Sequence, residues 1–238
     1  MREKTAQKIL AKTKQDYNFL SHDFSHTRVR SWPEIESFAG ELKDNSKILD
    51  VGCGNGRLFK ILSEKKKIQY NGLDLSKNLI EIAKDKYKDH PDKPHFQAGN
   101  VMNLPFKDVE FDTVFAIAVL HHLPSYDYRL KAVKEMRRVL KKDGLLLMTN
   151  WNLWQAKYIV RVLKTSLKSI FDENLDFGDV FIPWITKEVV VKRYYHAFTL
   201  SELERLCQEA GFNIVKNELS GERKSYLESF NMVTILKK

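Results

Sequence analysis

Two cysteines, Cys53 and Cys207, are all that the 238 residues hold. Two are too few for a disulfide framework, and neither stands at a metal-ligand spacing, so no metal site is expected. A reducing, cytoplasmic setting is the economical expectation. Long apolar runs are missing too: no uninterrupted stretch reaches the roughly 20 residues that cross a bilayer, so no membrane partner is expected. The opening MREKTAQKILAKTKQDY has neither the apolar stretch nor the small-residue cleavage site of a secretory signal. Internal repeats and low-complexity segments are also absent.

Acidic residues are in the minority, 31 against 40 lysines and arginines, for a formal net charge of +9. Such an excess favours a polyanionic partner, because cations that neutralise phosphates release counterions. Surface lysine that merely keeps the chain soluble is the alternative, and no base-reading motif decides between them. A hydrophobic fraction of 43 % suffices for a sizeable core. The length suits one large domain over 1–238, with a helical extension over 1–45 and an inserted region over 152–192.

Residues 1–20 read as a basic helix with a thin apolar stripe of Ile9, Leu10, Tyr17 and Leu20. A second helix is expected from Ser31, with Pro33 in its first turn and Glu34 at the capping-box position. From Lys47 the rhythm changes to alternating strands and helices. The strands are KILDV, IQYNGLD, PHFQAG, FDTVFAIAV and LLLMTNW. The intervening helices are RLFKILSEKKK, one capped by Ser76, and DYRLKAVKEMRRVLKKDG, expected to run to Gly144. This alternation implies right-handed crossovers and an α/β fold with a mostly parallel sheet covered on both faces. Residues 152–192 interrupt it with an apolar-basic helix over 158–167, the acidic DENLDFGD and the segment VFIPWITK, placed as a lid over the carboxyl ends of the strands. Thr199 and Glu202 form a capping box for LSELERLCQEAG, and FNIVKNEL and FNMVTILKK close the chain as two strands.

The strand-loop-helix ILDVGCGNGRL carries the most information. Gly52, Gly54 and Gly56 let the backbone approach a ligand closely, at the crevice where open α/β sheets bind theirs. The spacing is GxGxG rather than GxGxxG, and Asp50 ends the strand. A carboxylate there repels a pyrophosphate but suits a ligand bearing an ammonium and a sulfonium. Asp74 closes the next strand, where an acid can accept both ribose hydroxyls. Asn100, within Gly99-Asn100-Val101, can reach an adenine amino group. With these residues the sequence resembles the class I S-adenosylmethionine-dependent methyltransferases. DVGCGNG matches their glycine motif, Asp74 their ribose acid, FDTVFAIAVLHHL their fourth-strand motif, and the paired final strands their reversed last strand. The family often has Asp where this chain has Asn100. The resemblance implies a Rossmann-like, seven-stranded sheet with an antiparallel last strand. It also implies S-adenosyl-L-methionine as cofactor, with contacts from Asp50, Gly52, Cys53, Gly54, Asn55, Gly56, Asp74, Leu75, Asn100, Val101 and Ala116.

Methyl transfer from a sulfonium is an in-line displacement that needs orientation, plus a base only if the acceptor must lose a proton. His121 and His122 after the fourth strand are candidates, as are Asn150 and Trp151 after the fifth; one histidine can instead pack under the helix while the other caps it. No NPPY or DPPY run follows the fourth strand, and no cysteine there could attack a pyrimidine, which disfavours base methylation of those kinds. The ordered set DFSHTRVRSWP, VGCGNG, VFIPW and RYYHAFTLSELERL resembles the tRNA methyltransferases that esterify 5-carboxymethyluridine at the wobble position. Asp23 stands where that family usually has His. The resemblance runs from about Tyr17 to the C-terminus.

It implies a carboxylate acceptor, already ionised at neutral pH. Arg28 and Arg193 are the candidates to grip it or a tRNA phosphate, with His121 beside them as a catalytic candidate. Trp32, Trp151 and Tyr195 are candidates to stack a flipped wobble base, with His26 nearby. Trp32 suits equally a staple of its helix, and of Tyr194 and Tyr195 one is expected to face the core. Lys4, Lys8, Lys12 and Lys14 are expected to meet phosphates of the anticodon stem-loop. The family also implies a small zinc-binding activator protein, as its eukaryotic members use; exposed apolar side chains on the third strand, such as Phe96, would suit one. Two rivals remain at this point: a small-molecule methyltransferase for a quinone precursor or carboxylic acid, and a non-catalytic module of the same fold. An oxyacetate side chain on uridine would suit the same arginines.

Overall fold

A computed structural model describes residues 1–27, 33–186, 189–221 and 225–238. Three helices come first: α1 (Glu3–Phe19), α2 (Ser21–Thr27) and α3 (Pro33–Glu41). The alternating region follows as β1 (Lys47–Val51), α4 (Arg57–Ser63), β2 (Gln69–Asp74), α5 (Lys77–Tyr87), β3 (His95–Ala98), β4 (Phe111–Ile117), a short 3₁₀ turn (Leu120–His122), α6 (Tyr126–Val139) and β5 (Leu140–Trp151). The insert supplies α7 (Ile159–Ser169) and the antiparallel hairpin β6 (Asp179–Ile185) and β7 (Val190–His196). The chain closes with α8 (Leu200–Glu209), β8 (Asn213–Leu219) and β9 (Asn231–Lys237).

Seven strands form one sheet in the order β3-β2-β1-β4-β5-β9-β8. The pairings from β3 through β5 are parallel, and β9 runs antiparallel to both neighbours. Strand order reverses between β1 and β4, which puts the ligand crevice at the carboxyl end of β1. KILDV reads as a continuous apolar run because both faces of β1 are covered. Ile48 packs with Phe59, Tyr70 and Phe115 on one side, and Leu49 with Val114, Val133 and Met136 on the other. A separate cluster of Leu153, Val162, Val180, Ile182 and Tyr195 fastens the insert.

Three local expectations need correction. The helix expected to reach Gly144 stops at Val139, where Leu140 turns extended (φ −72°, ψ 142°) and pairs with Phe111. Lys238 Nζ donates to the Leu140 carbonyl at 2.6 Å, so this carbonyl is satisfied outside the helix. A further helix, α2, stands between the two expected N-terminal helices, where no element was predicted, and ends at Thr27. The Thr199 box is half made. Its hydroxyl accepts the Glu202 N–H at 3.2 Å, but the Glu202 carboxylate meets His196 Nε2 at 2.8 Å instead of reaching back. Ser76 caps α5 as expected, accepting the Leu79 N–H at 3.2 Å. The expected cap Ser31 lies outside the described residues.

The N-terminal helix is tied down at both ends. Near its start, Tyr128 donates to Glu3 at 2.7 Å and Thr5 donates to Asn174 in the insert at 2.6 Å. Near its end, Ser76 donates to the Asn18 side chain at 2.8 Å, and the Asn78 side chain to the Asn18 carbonyl at 3.0 Å. Thus α1 runs from the insert to the start of α5, across the mouth of the crevice.

Two glycines should respond oppositely to alanine. Gly56 has φ +75°, and an added Cβ would stand 2.7 Å from the Tyr87 ring and 2.9 Å from that of Phe96. Gly56→Ala is expected to cost about 1–3 kcal/mol. At Gly40 in α3, an added Cβ meets nothing within 4 Å among the described residues, and Gly40→Ala should gain about 0.4–1 kcal/mol. Urea unfolding of the two variants measures both signs.

Candidate active site

The glycine loop owes its shape to backbone that only glycine accepts easily. Gly52, Gly54 and Gly56 all have positive φ (72°, 54° and 75°). The N–H groups of Gly52 and Cys53 both donate to the Leu73 carbonyl, at 2.6 and 3.1 Å. The Asp74 carboxylate then takes the Gly54 N–H at 2.9 Å on one oxygen and the Ser76 N–H at 2.8 Å on the other. These bonds fix the loop against the end of β2. Burial raises the Asp74 pKa, and the backbone donors oppose that rise.

Asp50 lies deeper, 2 % exposed, and accepts a short hydrogen bond from the Tyr70 hydroxyl. Burial pushes its pKa up to about 7, helped by the nearby Asp74; the Tyr70 bond and Arg57 pull it down. Cys53 is buried beside these carboxylates, and burial raises its thiol well above the ordinary value, so it is structural rather than reactive.

A cavity of about 160 Å³ opens over this loop. Of the residues read as cofactor contacts, Asp50, Gly52, Cys53, Gly54, Asn55, Asp74, Leu75, Asn100 and Val101 line it. Gly56 does not; it begins α4 beneath Tyr87 and Phe96. Ala116 does not either. Its side chain belongs to the core under β4, and the lining positions are Ile117, Ala118 (φ 58°) and Val119, just beyond. The outer wall comes from α1, through Leu10, Thr13, Lys14 and Tyr17. An acid at Asp50, an acid at Asp74 and apolar Leu79, Val101 and Leu58 between them suit a ligand with a cationic tail, a ribose and an adenine, the donor set of S-adenosylmethionine.

At the cavity's open side stand Trp151, His122, Tyr17 and Phe24. Behind Tyr17, outside the cavity lining, the hairpin β6–β7 holds Arg193, whose guanidinium carbon is 4.3 Å from the Trp184 ring centroid and 5.1 Å from that of Tyr195. Ile182 pairs with Arg193 across the hairpin, so Arg193, Trp184 and Tyr195 share one face. Arg193 is 6 % exposed; its Nη1 donates to the Tyr17 hydroxyl at 3.2 Å, and that hydroxyl is 3.0 Å from His122 Nε2.

Several sequence candidates sit elsewhere than expected. His121 is fully buried behind the wall, with Nδ1 3.2 Å from Asn150 Oδ1, and burial drops its pKa to about 3. It is neutral at any working pH and does not line the cavity; His122 does. Tyr194 and Tyr195 are both buried, where one was expected to be free of the core. Tyr195 lies stacked on Trp151 (5.3 Å, 14°) and His121 (5.6 Å, 19°), so it backs the wall and offers no open face for a base. His26 is exposed at the end of α2, away from the cavity lining. Arg28 and Trp32 lie outside the described residues. Sequence reasoning missed Tyr17, Phe24, Tyr70 and Trp184. Phe24 in DFSHTRVRSWP and Trp184 in VFIPW lay within motifs the sequence offered, whereas Tyr17 and Tyr70 carried no signal as site residues.

Comparison with known proteins places these features in context. A family model described as a methyltransferase domain matches residues 49–148. A tRNA (carboxymethyluridine(34)-5-O)-methyltransferase of Schizosaccharomyces pombe is 29% identical, over 85% of this chain and 89% of that protein. A protein of Encephalitozoon cuniculi, named only as a methyltransferase, is 32% identical over 84% and 86%. The same wobble-uridine name belongs to a Xenopus tropicalis protein, 29% identical over 93% of this chain but only 40% of its own length. The chain therefore spans about two fifths of that relative. Among solved structures, a SAM-dependent methyltransferase of Methanosarcina mazei superposes with a TM-score of 0.71 at 24% identity, covering 88% and 99% of the two chains. A chain from a Haloferax volcanii complex of the Trm112 methyltransferase activator with a methyltransferase superposes at 0.68 with 15% identity, over 94% and 96%. These two likenesses establish the fold.

Asp50 gives a pH test. With a pKa near 7 it is largely neutral below that value and ionised above it. A cationic ligand needs the ionised form, so binding releases a proton at low pH and S-adenosylmethionine affinity should rise with pH until about 7. The slope below that approaches tenfold per pH unit. The same raised pKa makes Asp50 favour the folded state at acid pH, a contribution lost as pH climbs from the ordinary carboxylate range through about 7. Tyr70→Phe removes a bond that lowers this pKa and should shift the affinity profile to higher pH. Isothermal titration between pH 6 and 8 reads both effects; a flat profile contradicts them.

Proposed function

The chain belongs to the class I S-adenosylmethionine-dependent methyltransferases, in the family of the tRNA (carboxymethyluridine(34)-5-O)-methyltransferases, and on that premise we propose that it methylates the side-chain carboxylate of a wobble uridine in tRNA. The observation that carries this reading is a buried cation, Arg193, joined to the cavity wall through the Tyr17 hydroxyl at 3.2 Å, together with a His121 that burial keeps neutral. When bound, S-adenosylmethionine would supply an electrophilic methyl on a sulfonium whose sulfur leaves as the neutral thioether when an acceptor oxygen takes the methyl in line. Asp50 holds the positively charged end and Asp74 the ribose. Arg193 grips the carboxylate and orients one oxygen toward the methyl, and no proton need be removed. The product ester is neutral, so the arginine loses its partner and releases it. Trp151, half-buried and lining the cavity, is positioned to stack the uracil ring, with Tyr195 and His121 stacked to support it.

The same proposal takes residues 1–238 as one methyltransferase domain working in the cytoplasm, with the anticodon stem-loop as RNA partner. No described helix is long and apolar enough to cross a membrane. Lys4, Lys8 and Lys12 are exposed on α1, though Lys12 is held by Asp16 at 2.6 Å and Lys14 edges the cofactor cavity. For a small zinc-binding activator, the sheet edge at β3 offers its main chain. Phe96 does not serve as an apolar anchor: it is 4 % exposed and packs on Tyr87 and Phe59. His95 and Ala98 are the exposed side chains of that strand.

The deciding experiment is mass spectrometry of wobble nucleosides from tRNA incubated with the protein and labelled S-adenosylmethionine. It should give labelled methyl ester of carboxymethyluridine; labelled oxyacetate ester instead would move the acceptor, and no labelled uridine would sink the assignment. Arg193→Gln and Arg28→Ala should each lower ester formation at least about 100-fold, and full turnover in both would remove the carboxylate grip. Because α1 also walls the cavity, RNA binding by its lysines is better tested by Lys4→Gln with Lys8→Gln than by deleting the helix. Each lysine–phosphate pair removed should reduce the log–log salt slope of tRNA binding by about 0.7–0.9; an unchanged slope shows that these lysines face only solvent.

A further inference from the structure

Resting on the reading of function just given, we propose that Tyr17 is a positioning residue that turns the Nε/Nη2 edge of Arg193 toward the acceptor, so that a carboxylate is selected over its uncharged amide analogue. A guanidinium can offer two donors to a carboxylate in two ways, end-on through Nη1 and Nη2 or side-on through Nε and Nη2. Tyr17 engages Nη1 at 3.2 Å, so an acceptor gripped end-on shares that nitrogen with Tyr17, whereas one gripped side-on does not. The side-on edge remains, and Arg193 Nε is buried with no hydrogen-bond partner among the described residues. No carboxylate among the described residues lies within 4 Å of this guanidinium either, although it is 6 % exposed. Among the described residues it lies over the faces of Trp184, Tyr195 and Tyr17, at 4.3, 5.1 and 6.0 Å. A buried cation with one idle edge is costly until an anion arrives, and it discriminates strongly when one does.

Tyr17 is suited to hold this edge because it is itself held. Its hydroxyl can accept from Arg193 and donate to His122 Nε2 at 3.0 Å in the same arrangement. Its ring stands edge-on to Phe24 (5.6 Å, 79°) and to His122 (5.3 Å, 80°). One side chain thus touches the cofactor cavity, the fourth-strand turn and the hairpin of the insert. An amide acceptor would bring its own N–H donors against Nε–H or Nη2–H and leave one of them unpaired.

The test uses two synthetic anticodon stem-loops, identical except for 5-carboxymethyluridine or 5-carbamoylmethyluridine at the wobble position, with affinities measured by competition in the presence of S-adenosylhomocysteine. The unaltered protein should prefer the carboxylate RNA at least about tenfold. Tyr17→Phe, which keeps the ring, should narrow that preference to about two- to threefold and raise KM for the carboxylate RNA more than it lowers kcat. Arg193→Lys keeps the charge but lacks the fork, and should lose the preference likewise. A purely structural role for Tyr17 would weaken both RNAs equally; an unchanged ratio in Tyr17→Phe therefore overturns the positioning role. Absence of ester formation by the unaltered protein would instead overturn the reading of function, and the positioning role with it.

Discussion

The site depends first on one carboxylate. Asp74 receives the Gly54 N–H and the Ser76 N–H on its two oxygens and so binds the glycine loop to the start of α5. Three successive left-handed glycines cannot keep one shape by themselves, since each has many alternatives of similar energy. The loop is therefore defined from outside, by Asp74 and by the Leu73 carbonyl. The arrangement leaves Asp74 facing the cavity while half its hydrogen-bonding capacity is structural. The residue read as a ribose acid is also the clamp that makes a ribose site possible.

Legibility followed distance along the chain. The glycine loop, Asp74 and the Ser76 cap are contiguous motifs whose chemistry is local, and the structure has them as the sequence implied. The parallel, doubly covered sheet was also legible from apolar strands alternating with amphipathic helices, whereas the reversed last strand came from the family resemblance. Errors of one or two residues arose where a strand gives way to a turn. Ala116 and Ala118 are indistinguishable in FDTVFAIAV until the strand is seen to end at Ile117 and Ala118 to take φ 58°. His121 and His122 exchange roles because a 3₁₀ turn at Leu120–His122 rotates one ring into the core and the other toward Tyr17. Tyr17, Phe24 and Trp184 were illegible as site residues for a different reason. They reach the crevice only through the docking of α1, α2 and the insert, which no local pattern encodes.

That docking gives the N-terminal helix two duties. Lys4, Lys8 and Lys12 are exposed, while its inner face closes the cavity with Leu10, Thr13, Lys14 and Tyr17. The helix is pinned to the insert at one end and to α5 at the other. Cofactor wall and acceptor wall are consequently one element, so a displacement of α1 disturbs both ligands together. The insert contributes in the same way. Its inner cluster around Tyr195 sets the hairpin face on which Arg193 and Trp184 stand.

The protonation states then constrain the nucleophile. A hydroxyl or ammonium acceptor must shed a proton before or during methyl transfer, and the group that takes it needs a pKa near the working pH. His121, held near 3 by burial, cannot serve. Asp50 has a suitable value, but it lies buried at the glycine-loop end of β1, hydrogen-bonded to Tyr70, where a cationic ligand would consume its charge. His122 does line the cavity, but its Nε2 is 3.0 Å from the Tyr17 hydroxyl, and behind that hydroxyl stands a guanidinium with an idle Nε among aromatic rings. A nucleophile that arrives already ionised needs only that cation. Methylation then cancels the charge by which it was held, so the feature that recognises the substrate also disfavours retention of the product.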